Sequence, residues 1–205
     1  MAASMGLRSV SGPDWRLQKT WQIFLLCSLI LAAIRYVHGH GVHENLFFSV
    51  LSPEDLAFIY KIRPAKNFGA AFAQHFHRIC LIPTEPEDAC GELANAPVIS
   101  GEVALIKRGG CSFMSKAITA ERAGAAAVII YDNNDRNFDS IIDMIDDNTD
   151  RSTSIPVAFL LGRDGYMIKN SLHQQGLPSA VISIPVNITG VSLGHVRRSP
   201  WSLWI

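Results

Sequence analysis

The stretch Val103–Tyr131 limits the fold of this 205-residue chain more than any other part of it. Val103-Ala104-Leu105-Ile106 is a short apolar run that predicts a buried strand, and Lys107 to Cys111 is a basic, glycine-containing corner. A helix is expected next. Ser112 can accept a hydrogen bond from the first free amides, and Phe113, Ala117, Ala120 and Gly124 recur at helical spacing. Lys116, Glu121 and Arg122 are expected on the wet face. Gly124 suits the positive φ of a helix end, and Ala127 to Tyr131 predicts a second strand. Strand, helix and strand together imply a right-handed crossover between parallel neighbours.

Elsewhere the pattern is of short strands. Leu46 to Leu51 and Ala57 to Ile62 flank the turn former Ser52-Pro53-Glu54-Asp55. Further strands are expected at Ile79 to Ile82, Ser154 to Leu161 and Ala180 to Val186, and a helix at Arg163 to Gln175 before Gly176. Residues 64–77 and Pro83 to Pro97 read as irregular connections. Asp132 to Asp150 is acidic, with Ile141, Ile142, Met144 and Ile145 predicting a short helix. These elements imply a mixed α/β (α+β) domain in which a strongly curved sheet or open barrel is flanked by two or three short helices.

The amino-terminal segment reads as a signal peptide. Arg8, Arg16 and Lys19 precede a run from Ile23 to Ile34, which is short for a membrane span, and Gly39 puts a small residue at the expected cut. The mature chain is then expected to begin at His40 and to be secreted. An uncleaved anchor is the alternative, disfavoured because Arg35 interrupts the run. The whole chain has 18 basic and 18 acidic side chains. Its first 39 residues hold four of the former (Arg8, Arg16, Lys19, Arg35) and one of the latter (Asp14), leaving 14 and 17. That slightly acidic remainder, without a basic run, excludes an electrostatic footprint for nucleic acid. No later stretch is long and apolar enough to predict a stable span in the mature chain.

Arg108-Gly109-Gly110-Cys111-Ser112-Phe113, Lys116, and Ala123-Gly124-Ala125-Ala126-Ala127-Val128-Ile129-Ile130-Tyr131-Asp132-Asn133 resemble the signature of the protease-associated (PA) domain family. Asp88-Ala89-Cys90 upstream and Ile155-Pro156-Val157-Ala158-Phe159-Leu160 downstream are similar to segments of that family in the same order. The resemblance implies the open-barrel version of the fold and a bridge between Cys90 and Cys111. It leaves Cys80 either as a free thiol on a strand or as an intermolecular partner. It also implies β segments at 40–78 packed on a PA core at 79–186, with a tail over 187–205. In the family such domains accompany peptidase, sorting-receptor or ubiquitin-ligase modules and mediate contact with substrate or protein. The expectation for this chain is a secreted, non-catalytic interaction module with an unidentified protein partner and no cofactor.

Four other patterns carry chemistry. Asn187-Ile188-Thr189 is a glycosylation sequon, meaningful behind a signal peptide. Gly190-Val191-Ser192-Leu193-Gly194 matches the hydrolase elbow, but Pro200 leaves little room for a following helix, and His195 is the one candidate base after Ser192. His40 and His43 at a new amino terminus, with His75 and His77, make a rival metal-binding reading. Asp135, Asn137, Asp139 and Asp146 are spaced like a calcium loop, although Ser140 replaces the glycine of the sharp turn.

Overall fold

The computed structural model describes residues 45–189 and 196–201. Seven strands close into a barrel in the order β1-β2-β6-β5-β4-β3-β7. They are β1 (Leu46–Ser52), β2 (Ile59–Pro64), β3 (Phe76–Pro83), β4 (Val103–Lys107), β5 (Ala127–Tyr131), β6 (Val157–Leu160) and β7 (Ala180–Ile184). Three helices accompany them: α1 (Ala96–Ile99), α2 (Phe113–Arg122) and α3 (Gly162–Gln175). The mixed α/β barrel expected from the sequence is the observed architecture, and its sheet closes fully.

Four neighbours, β3 to β6, run parallel, and β7, β1 and β2 complete the circle with antiparallel pairings. Burial follows that division. β5 is buried at every residue and β6 likewise, whereas β7 alternates buried and half-buried. Parallel strands joined by helices are covered on both faces, so apolar residues fill both. Inside the barrel lie Val103, Leu105, Ile129, Tyr131 and Leu160 together with Phe48, Tyr60, Ile62 and Ile182. Outside, Ala104, Ile106, Val128, Ile130 and Phe159 meet Ala117 and Ala120 of α2, Ile99 of α1 and Met144. Helix α3 starts at the carboxyl ends of the parallel strands and sends Ile168 and Leu172 into the inner cluster. Its approach needs glycine: a Cβ on Gly165 would lie 2.3 Å from the Tyr131 side chain, and one on Gly162 only 1.9 Å from the Asn134 carbonyl oxygen.

Helix α2 begins as expected, with the Ser115 amide donating to Ser112 Oγ (3.1 Å), and ends before Gly124 at φ 82°. Its wet face differs from expectation. Lys116 is fully buried. Helical side chains lean toward the amino terminus, so the residue one turn after the Ser112 cap reaches back over the glycine corner. The helix expected at Ile141 to Ile145 does not form. Extended by a few residues at each end, it would stack Asp139, Asp143 and Asp147 at i, i+4 spacing, and like charges there repel. The segment bonds instead to the connection after β2: Lys66 N–H donates to the Met144 carbonyl (2.9 Å), Asp146 N–H to Asn67 Oδ1 (2.9 Å) and Arg63 to Asp143 (2.8 Å). β2 also starts two residues later than expected, because a 3-10 turn at Glu54–Leu56 intervenes and its Leu56 carbonyl accepts from the Tyr60 hydroxyl.

Candidate functional site

The carboxyl ends of β3, β4 and β5 carry three loops, at 84–95, 108–112 and 132–137, that meet at one end of the barrel. Crevices beyond the carboxyl ends of parallel strands are where such sheets place their sites. Here the loops are locked together. Cys90 and Cys111 are joined, with their Cα atoms 5.7 Å apart. Gly110, at φ 80°, allows that approach: a Cβ there would lie 2.8 Å from Cys90 Sγ and 2.7 Å from the Asp88 carboxylate.

Lys116 holds the same corner from below. Its ammonium donates to the backbone carbonyls of Asp88 and Gly109 and lies 3.4 Å from Cys90 Sγ. Burial pushes the lysine below its usual pKa, and the Asp88 carboxylate works in the opposite direction. A charge sealed from water needs such partners, and the two carbonyls supply them.

Arg108 closes the corner on its other side by donating to Asp132 (2.9 Å), a carboxylate that also accepts from Asn137 Nδ2 (2.8 Å). Asn137 is nearly buried, and its amide further donates to the Ser140 carbonyl (2.7 Å) and accepts from the Ser140 N–H (2.9 Å). Glu87 receives Lys107 (3.6 Å) and Lys169 of α3, and these lysines lower its pKa. Asp147 accepts from Ser112, Thr149 and Arg151; hydrogen bonds, first that from Ser112, lower its pKa to about 2. The cap of α2 and the acidic connection are thereby tied together.

Two open hollows flank the disulfide, each of about 510 Å³. One is lined by Leu93, Ala96, Thr119 and Arg122, the other by Pro86, Glu87, Arg108 and Asn133. Both are shallow and open to solvent.

The calcium-like spacing does not gather ligands at one point. Asn137 turns inward to brace its own loop, and among the described residues no three His, Cys, Asp or Glu side chains converge on a metal position. His75 and His77 do meet, with ring centroids 4.1 Å apart and His75 Nε2 3.2 Å from Ser183 Oγ. Their proposed companions His40 and His43 lie outside the described residues, as do Ser192, His195 and the segment read as a signal peptide. Cys80 is a free, half-buried thiol on β3, and its N–H donates to Glu102 (2.6 Å). Asn187 is exposed beyond β7, at the barrel end opposite the disulfide, and its Oδ1 accepts from the Thr189 N–H (2.8 Å).

Sequence reasoning missed two features. The Asp147 anchor was hidden in an acidic run with nothing to mark one aspartate from the next. The tail returns to the barrel: Trp201 Nε1 donates to Asp164 Oδ1 (2.8 Å), and Arg197 lies over the Phe58 ring (5.2 Å). Trp201 and Trp204 in the tail were the available signal.

The PA domain family profile matches residues 78–168. A "PRADC1-like protein" from Drosophila melanogaster is 42% identical over 162 residues, covering 78% of this chain and 83% of that one. A human "ER degradation-enhancing alpha-mannosidase-like protein 3" is 30% identical over 53% of this chain, which spans only 12% of that protein. Among solved structures, a zinc aminopeptidase from Bacillus subtilis aligns over 68% of this chain and 29% of its own, with 23% identity and a TM-score of 0.46. Among the described residues no helix is long and apolar enough to cross a membrane. With a 42% identical relative matched over 83% of its length, and the family's strand–corner–helix unit at the centre, the chain belongs to the PA domain family.

Proposed function

We propose that this chain is a secreted, non-catalytic glycoprotein whose PA domain works by contact with another protein. The observation that carries this reading is the locked loop end: the disulfide, buried Lys116 and the Arg108–Asp132–Asn137 chain hold three loops in one shape. Binding residues concentrate on loops that a rigid scaffold presents, and a preformed surface loses little entropy on association. The matched region also makes up most of the Drosophila relative and only a small part of the mannosidase-like protein, which favours a portable accessory over a carrier of one activity. Secretion draws support from the basic start and short apolar run before Gly39, and from a disulfide that persists in oxidising compartments. Glycosylation draws support from an exposed sequon asparagine on a turn.

The contact surface runs over Pro86 to Cys90 and the acidic segment from Asp132 to Asp150. Asp143 and Asp147 are unsuitable probes of it, since they bind Arg63 and Ser112. Exposed Asp135, Asp139 and Asp150 are the better choice. Proximity labelling from the secreted chain identifies the partner. Lysine at all three positions should then cut its capture severalfold without reducing secretion, while Asn187→Gln removes a glycosidase-sensitive mass and keeps capture. Undiminished capture by the triple variant, or loss with Asn187→Gln alone, moves the surface elsewhere. Turnover of any substrate by the purified chain in a broad hydrolase panel, abolished by Ser192→Ala, ends the non-catalytic reading.

A further inference from the structure

Residues 196–201 lie against the start of β2, beyond the end of β6. β2 pairs with β6 only from Ile62, opposite Leu160, so the first residues of β2 have no β6 neighbour. The tail takes that place. Ile59 N–H donates to the Arg197 carbonyl (2.8 Å), and Ile59 forms a parallel bridge with Arg198. The segment does not alternate as a strand does: Val196 and Ser199 are buried, Trp201 is half-buried, Arg197 is exposed, and the chain turns at Pro200 and Trp201. Arg197 lies 5.2 Å from the Phe58 ring centroid, and Trp201 meets the same ring edge-on at 5.5 Å. Ser199, 2% exposed, and Trp201 both donate to Asp164 Oδ1, at 3.4 and 2.8 Å. Asp164 is itself 1% exposed. A carboxylate so buried needs its donors, whichever chain supplies them. Main-chain bonds to a strand edge, with recognition of particular side chains, are how sheets bind peptides.

We propose that the start of β2, Phe58 and Asp164 form a peptide-binding site that residues 196–201 fill in cis. Its other occupant is a partner segment whose main chain runs along Ile59 and which presents serine or threonine and, two residues on, tryptophan to Asp164. A tethered occupant competes at an effective concentration on the order of millimolar, so an outside peptide binds the intact chain weakly until the tail is displaced. This site is separate from the loop surface proposed above, and lysine at Asp135, Asp139 and Asp150 leaves it unchanged.

The test uses the full secreted chain and a fluorescent peptide of residues 196–203, followed by anisotropy. The Trp201→Ala chain should bind the peptide about tenfold or more tightly than the unaltered chain does. A peptide carrying Trp201→Ala should not bind. No binding to a folded Trp201→Ala chain, or equal binding to both chains, overturns the proposal. If Trp201→Ala prevents folding, a chain labelled with 5-fluorotryptophan and carrying Trp204→Phe decides. Excess unlabelled peptide should move the Trp201 fluorine resonance to its position in the free peptide, and an unmoved resonance at millimolar peptide overturns the site.

Discussion

The parallel and antiparallel halves of the barrel bury their residues by different rules. β4, β5 and β6 are covered inside by the barrel core and outside by α1, α2 and the 141–155 connection. β1 and β7 have one dry face and one partly wet face. The doubly covered half positions the disulfide-locked loops, and the singly covered half carries the sequon and receives the tail. Rigidity at the proposed contact surface therefore follows from burial beneath it.

The largest expected difference between the halves comes from truncation. Ile130→Ala on β5 removes a side chain from the fully buried outer layer and should cost about 3–4 kcal/mol in urea unfolding. Val181→Ala on β7 removes a half-buried one and should cost under about 1 kcal/mol. Equal losses would break the comparison. Replacing Cys90 and Cys111 together by serine opens a loop with a sequence separation of 21 and should cost roughly 3 kcal/mol in the same measurement. Lys116→Met keeps the buried volume but leaves the Asp88 and Gly109 carbonyls without their donor. A loss of about 2 kcal/mol is expected, and a stabilised variant would show that the lysine's burial outweighs its bonds.

The smallest effect is local and depends on pH. Asp147 has its folded pKa lowered to about 2, so its contribution is fully present above the ordinary aspartate range near 4 and is lost as pH falls toward 2. Carboxylate NMR should show its titration well below the ordinary aspartate range near 4. Asp147→Asn should remove that low titration and speed amide exchange around Ser115, whose N–H caps on Ser112.

What the sequence disclosed follows the same division. Continuous apolar runs such as Ala127 to Tyr131 made the parallel half legible, and Ser112 and Gly124 marked the ends of α2. Lys116 was misplaced because helical periodicity assigns a lysine to solvent, and only the folded corner places two backbone carbonyls within its reach. The 137–154 connection defeated the pattern because its isoleucines mimic a helical stripe while its aspartates oppose one. The tail was read as an appendage because its seat joins residues as distant as Phe58, Asp164 and Trp201.

Lys116 also bears on how the Cys90–Cys111 link behaves when challenged by a reductant. Its ammonium lies 3.4 Å from Cys90 Sγ. Once the link is opened, the same cation stands beside a thiol and favours its ionised form. Where a thiolate reductant has attacked Cys111 and displaced Cys90, the ionised Cys90 sulfur can attack that mixed disulfide at Cys111, expelling the reductant as its thiolate and closing the ring again. The residue that braces the closed ring is therefore placed to hasten its mending.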